Sequence, residues 1–260
     1  NARLQARSEA AVAAAVAEYD ALGASAVVAD VHSGRLLALV SLPSFDPADP
    51  AGSPAASWRL RPVQDALEPG STIKPIIAAA ALAAGVIGTG EGFDCRARGT
   101  RIAGHWVRDH AKPGVYTIDE VVVYSANTGI IQAAERVPRQ QLWQAFDAFG
   151  FGRRTGVAFP AEARGLLAEP RSWSGMSRAG LALGQELTVS PLQMAMAYAA
   201  IANGGWLPRP QLVAGGDEGS AGAGDEPLTR VLDEALAGRL CRMLEGVVDE
   251  GTGTLARVPG

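Results

Sequence analysis

The sequence predicts a mixed α/β chain, an antiparallel hairpin among helices, from three observations. Residues 24–30 and 35–41 are two β-prone runs around His32-Ser33-Gly34, which reads as a hairpin and so as an antiparallel pair. Most of the remaining pattern, before and after that hairpin, has helical spacing and helix-boundary signals. Finally, 48% hydrophobic with 19% charged residues over 260 positions is ordinary globular composition, and a chain of that length buries a substantial core.

Taken in order, residues 4–22 are Ala-rich with apolar positions near helical spacing and run into Gly23, so they read as a helix. The hairpin follows, then a Pro/Asp/Ser loop over 43–54. Glu68-Pro69-Gly70 turns the chain sharply into a helix over 71–84. The uncharged run 75–90 is shorter than the roughly 18–20 residues a membrane span needs, which makes it a buried core helix. Thr117-Ile118-Asp119-Glu120 matches a capping box and starts a short helix ending near Tyr124. Helices over 128–137 and 139–149 are separated by Pro138. Ser190-Pro191 supplies an N-cap and an N1 proline for a helix reaching Asn203, stopped by Gly204-Gly205. Residues 215–226 are Gly/Ala/Asp-rich and read as a surface loop, and a last helix covers 233–248.

Several function classes are excluded or disfavoured. A net charge of −4 gives no overall basic footprint for nucleic acid. Cys95 and Cys241 are too few for a disulfide framework and lack metal-ligand spacing. His105 and His110 are five apart, off the i, i+4 spacing of a helical metal pair. The glycines at 85, 88, 90 and 92 follow a helix rather than a strand, unlike a phosphate loop. Neither a metal nor a cofactor is expected. Residues 1–22 lack the regions of a signal peptide.

The informative count lies among the basic residues. Of 23, only Lys74 and Lys112 are lysines. Arginine stays protonated in proteins, whereas a buried lysine loses its proton readily and acts as a base. Lys74 sits in Ser71-Thr72-Ile73-Lys74, which places a hydroxyl and an amine one helical turn apart. Serine needs an adjacent base to become a nucleophile, and a helix start offers backbone N–H groups to a developing oxyanion. Ser125-Ala126-Asn127 falls in a tight connection between two helices. There Ser125 is placed to relay protons, while Asn127 either contacts a substrate amide or caps the helix beginning at Thr128.

Glu68-Pro69-Gly70-Ser71-Thr72-Ile73-Lys74-Pro75 together with Tyr124-Ser125-Ala126-Asn127-Thr128-Gly129 resembles the transpeptidase domain of class B penicillin-binding proteins. The resemblance extends to the hairpin, to Pro43-Ser44-Phe45-Asp46-Pro47, to Phe149-Gly150-Phe151-Gly152 with Thr155-Gly156, and to Gly184-Gln185 through Asn203-Gly204-Gly205, and so spans essentially the whole chain. It implies a β-lactamase/transpeptidase-like fold of the α+β type, an antiparallel sheet flanked by helices, and a D,D-transpeptidase that cross-links peptidoglycan stem peptides ending in D-Ala-D-Ala through a serine acyl-enzyme, acylated also by β-lactams. By the same resemblance Ser71 is the nucleophile, Lys74 its activating base, Ser125 the proton shuttle and Asn127 the substrate-orienting amide. The implied setting is the extracytoplasmic face of a bacterial membrane, with an anchor absent from this chain. A membrane glycosyltransferase and divisome or elongasome proteins are the implied partners of the full-length form.

The chain departs from the family pattern in one respect. The third motif, Lys-Thr-Gly, is absent, since neither lysine is followed by Thr-Gly or Ser-Gly. Residues 251–260 resemble the stretch that precedes this motif, so residues 1–260 read as one transpeptidase domain truncated just before it, with its C-terminal strands missing. The alternatives are a non-catalytic cell-wall-assembly scaffold, or a β-lactam-binding sensor or hydrolase of the same fold.

Overall fold

The structure, a computed structural model, describes residues 1–212 and 228–258. In chain order, α1 (Ala2–Glu18) leads into the hairpin β1 (Ala24–Ala29) and β2 (Leu36–Leu42), followed by the short α2 (Arg61–Gln64) and the central α3 (Lys74–Ala83). Next come β3 (Phe93–Asp94), β4 (Gly99–Ile102), β5 (His105–Arg108) and β6 (Val115–Tyr116), then α4 (Ile118–Val123), α5 (Asn127–Arg136) and α6 (Arg139–Ala148). The chain continues through β7 (Leu166–Leu167), α7 (Ser177–Ala182), β8 (Leu187–Thr188), α8 (Pro191–Ala202), β9 (Trp206–Leu207), β10 (Thr229–Arg230) and α9 (Glu234–Asp249). Among the described residues the β-strands form five antiparallel two-stranded pairs, of which the β1–β2 hairpin is the longest.

The core is helical and centres on α3, whose first eight residues, Lys74 through Ala81, are all buried. A helix apolar on every face must be surrounded, and α4, α5, α6 and α9 surround this one, with Ile76, Ile77, Ile130, Leu142, Phe146 and Leu240 fully buried. This is the buried core helix expected from the run 75–90. No helix among the described residues is long and apolar enough to cross a membrane.

The hairpin's outer edge on β2 is closed by α1. The Gln5 side chain donates to Leu39 O at 2.9 Å and accepts from Leu39 N at 2.8 Å, and the N-terminal ammonium donates to Leu37 O. One glutamine amide thus stands in for a neighbouring strand at an edge that would otherwise be open. On the β1 side, a groove of about 790 Å³ lined by Val27, Val28, Tyr198, Ala199, Leu244 and Val248 runs between the hairpin, α8 and α9.

Several details differ from the sequence reading. Helix α1 ends at Glu18 rather than residue 22, because Asp20 takes a left-handed conformation. The helix expected over 71–84 begins as a 3₁₀ turn, Gly70–Ile73, and becomes α only at Lys74. Pro75 lacks the N–H that an α-helix beginning at Ser71 would use, so Lys74 N–H closes a tighter bond to Ser71 C=O instead. Residues 93–116, unassigned from sequence, form two strand pairs, β3 with β6 and β4 with β5. The loop read at 215–226 lies outside the described residues. The capping box at Thr117/Glu120 is present, and the Ser190 N-cap read from sequence is a full capping box with Gln193.

Candidate active site

Three segments converge beneath the N-terminus of α3. The first is the 3₁₀ turn carrying Ser71. Gly70 N–H donates to Gly184 O at 3.2 Å, and Tyr198 Oη donates to Thr72 O at 2.9 Å, so this turn is tied to the segment after α7 and to α8. Gly184 has φ +71, and a Cβ there would lie 2.1 Å from Gly70 O; only glycine allows the two segments to approach so closely. Ser71 is exposed, whereas Lys74, one turn on, is only 1% exposed.

The second segment is the α4–α5 connection. Ser125 N–H bonds to Val122 C=O and Ala126 N–H to Val121 C=O. With Ser125 at φ +55, this is a Schellman C-cap whose left-handed position holds serine instead of glycine. A side chain in that conformation costs about 1–2 kcal/mol. It brings the Ser125 carbonyl and hydroxyl to the same cation. Lys74 Nζ donates to Ser125 O at 2.6 Å, Ser125 Oγ at 2.9 Å and Asn127 Oδ1 at 2.7 Å, which uses all three protons of an ammonium. Burial lowers the Lys74 pKa from 10.5 to about 8, against the opposing pull of the Asp109 carboxylate.

The third segment follows β5. Helix α5 starts at Asn127 with Ala126 before it, and Ala126 has no side chain able to cap it. Asp109 supplies the cap from across the site: its Oδ2 accepts from Thr128 N–H at 2.7 Å and its Oδ1 from Asn127 N–H at 3.0 Å and Ala111 N–H at 3.1 Å. Burial pushes the Asp109 carboxyl up, but these backbone donors overcome it and hold it below the usual carboxylate value. Asn127 Nδ2 donates to Arg108 O at 2.9 Å, which fixes the amide and leaves its second N–H available.

Of the four site residues read from sequence, the structure gathers Lys74, Ser125 and Asn127 into one hydrogen-bonded cluster. Ser71 stands one turn away. Among the described residues its hydroxyl has no hydrogen-bond partner, so the lysine's donors face Ser125 and Asn127 rather than the serine. Asn127 does not cap α5; it is the first helical residue. Asp109 and Tyr198 were not singled out from sequence. The signal for Asp109 was indirect, namely a helix start preceded by alanine, which needs an acceptor from elsewhere. His105 and His110 are exposed on and after β5, and no group of three or more metal-ligating side chains occurs among the described residues.

Comparison with known proteins identifies the family. Residues 24–260 match the penicillin-binding protein transpeptidase domain, and the chain belongs to that family. It is 34% identical over 239 residues to the peptidoglycan D,D-transpeptidase FtsI of Escherichia coli K12, which covers 92% of this chain and 39% of that protein. It is 32% identical over 262 residues to the probable peptidoglycan D,D-transpeptidase PbpC of Pseudomonas aeruginosa, covering 99% of this chain and 45% of that protein. The chain therefore spans about two-fifths of the length of these curated relatives. Among solved structures, the transpeptidase domain of Burkholderia pseudomallei penicillin-binding protein 3 superposes with a TM-score of 0.86 at 28% identity, over 100% of this chain and 72% of that one. Penicillin-binding protein 3 of Mycobacterium tuberculosis, solved with aztreonam, gives a TM-score of 0.88 at 31% identity, over 100% of this chain and 61% of that one. The mixed α/β fold read from sequence agrees with these structures.

Proposed function

We propose that this chain is the acyl-transfer domain of a peptidoglycan D,D-transpeptidase, with Ser71 as nucleophile. The observation that carries the reading is a buried lysine with a lowered pKa, held by Ser125 and Asn127 one turn from an exposed serine at the start of the core helix. A structural lysine has no need of that arrangement.

The neutral fraction of Lys74 takes the Ser71 hydroxyl proton as Oγ bonds to the penultimate D-Ala carbonyl carbon. Backbone N–H of Ser71 stabilises the resulting oxyanion. As the C–N bond breaks, the proton returns from Lys74 through Ser125 Oγ to the departing D-Ala amine. The free N–H of Asn127 orients the substrate amide. An amine of a neighbouring stem peptide then attacks the acyl-enzyme carbonyl and releases Ser71. A β-lactam enters at the first step because its strained amide replaces the scissile bond. A cation for the substrate carboxylate, the part played in the family by Lys-Thr-Gly, is proposed to come from residues outside these 260, on a protein that works at the extracytoplasmic face of the membrane.

The test is intact mass after incubation with benzylpenicillin. The expected result is a stable adduct on the wild type and none on Ser71→Ala. A folded wild type that gains no mass would overturn the catalytic reading and favour a scaffold.

A further inference from the structure

The hairpin β4–β5 stands beside the cluster of Lys74, Ser125 and Asn127, and the reaction just described does not use it. Its register pairs Gly99 with Arg108 and Arg101 with Trp106, so that Arg101, Trp106 and Arg108 share one face. On the opposite face, half-buried Ile102 and Val107 pack against the main core. The hairpin is therefore anchored by one side and presents the other to solvent. Trp106 is 52% exposed, a large apolar surface to leave in water. Its indole lies across Gly99, where a Cβ would come within 2.7 Å of the ring. The ring is thus seated on backbone while its remaining surface stays accessible.

The charge around it is concentrated. Residues 96–112 hold five of the chain's cations and a single acid, within a protein of net charge −4. That acid, Asp109, is turned inward to cap α5. Arg96 is paired with Asp94. Among the described residues, Arg98, Arg101, Arg108 and Lys112 are exposed and none has a carboxylate partner. The face is also continuous with the candidate catalytic cluster, because the Arg108 carbonyl receives the Asn127 amide at 2.9 Å.

We propose that the outer face of β4–β5 is a docking subsite for the carboxylates of a peptidoglycan stem peptide other than that of its terminal D-Ala, with Arg101 and Arg108 as anion contacts and Trp106 as the platform on which the peptide lies. The proposal rests on the transpeptidase reading and names the part of the substrate that this flank of the cleft would hold. Guanidinium groups match carboxylates in a planar, two-point geometry, and an aromatic ring between two of them gives the intervening peptide an apolar surface. Continuity with Asn127 favours a substrate strand over an anionic membrane, which would need the same chemistry but no proximity to the catalytic lysine.

The experiment is binding without turnover. An uncross-linked disaccharide pentapeptide and the same fragment with its carboxylates amidated, except that of the terminal D-Ala, are titrated against the protein by fluorescence anisotropy. For the wild type, amidation is expected to weaken binding at least fivefold. In Arg101→Glu that ratio falls to about one, and in Trp106→Ala both fragments weaken together. Arg101→Gln, a milder change, gives an intermediate ratio and guards against misfolding of the charge reversal. Equal affinity of the wild type for the two fragments, no measurable binding of either, or a ratio unchanged in both Arg101 variants would overturn the proposal. So would Arg101-dependent binding to phosphatidylglycerol vesicles with no dependence on fragment carboxylates, which assigns the face to a membrane. Penicillin labelling of the wild type is scored separately. A protein that discriminates the fragments yet gains no penicillin adduct retains the subsite and loses only the acyl-transfer reading.

Discussion

Replacing Asp109 by asparagine tests how the site sets the charge of its lysine. The substitution keeps the side chain's shape and one acceptor oxygen, but removes the negative charge and turns an N–H₂ toward one of the backbone donors that Asp109 now satisfies at 2.7–3.1 Å. Losing one such bond costs about 1–3 kcal/mol of stability. The electrostatic consequence has the opposite flavour. The Asp109 carboxylate raises the Lys74 pKa against the burial that lowers it to about 8. One asparagine with a hydrogen bond at each end separates the two charges, a span of roughly 10 Å, and at an effective dielectric near 20 their attraction is about 1.5 kcal/mol. Removing it lowers the lysine pKa by about one unit. At pH 7 about one lysine in ten is neutral in the wild type, and about half would be in Asp109→Asn. Stopped-flow acylation by a fluorescent penicillin from pH 5.5 to 9.5 reads this directly. The acid limb of the rate profile is expected to have its midpoint near 8 in the wild type and about one pH unit lower in the variant, even where a loosened α5 start reduces the plateau. A midpoint that stays put or moves upward in a folded variant would refute the electrostatic argument.

Two further outcomes follow from the same cluster. Ser125→Gly relieves left-handed strain of about 1–2 kcal/mol but takes the Oγ acceptor at 2.9 Å from the buried Lys74 ammonium, a loss of about 1–3 kcal/mol, so the melting stability is expected to stay within about 1 kcal/mol of the wild type. Penicillin acylation falls because Ser125 Oγ is gone, and a fully active variant would contradict the assignment. For Lys74 the folded pKa lies below the unfolded one, so between about pH 8 and 10.5 the unfolded chain binds the extra proton and stability rises with pH. Urea melts of the wild type at pH 7.5 and 9.5, referenced to Lys74→Met, are expected to differ by about 2 kcal/mol in favour of the higher pH. A difference near zero, or of opposite sign, would place the lysine in water.

Where local rules and tertiary structure agree, the fold was legible from sequence. The capping box at Thr117, the Ser190 N-cap with its Pro191 start and the hairpin turn are each decided within a few residues, and each is present. The 3₁₀ entry to α3 was less legible, because the missing N–H of Pro75 competes with an otherwise continuous helical pattern. The strand pairs between 93 and 116 are short, and Trp106 on the outer face with Thr100 and His105 on the inner one breaks the alternation that marks a strand. Within the candidate site, Ser71-x-x-Lys74 and Ser125-x-Asn127 could be found because each is a local pattern. Asp109 could not, because its cap acts across 18 residues of chain and no spacing rule links an aspartate to a helix that begins elsewhere.

The departures from local preference gather in one place. Serine occupies a glycine position, a lysine is buried without a carboxylate in direct contact, and a helix begins without a capping residue of its own. Each would be destabilising alone. Together they offset one another: the strained Ser125 supplies two of the three acceptors for the buried ammonium, Asn127 supplies the third, and the aspartate that caps the helix also keeps much of that ammonium charged. A sequence under selection for stability alone would use glycine, an apolar residue and a Ser or Asp cap at these positions. Retaining all three departures makes sense when the lysine must sit near the point of losing its proton. That poise is what an exposed serine one turn away requires of its base.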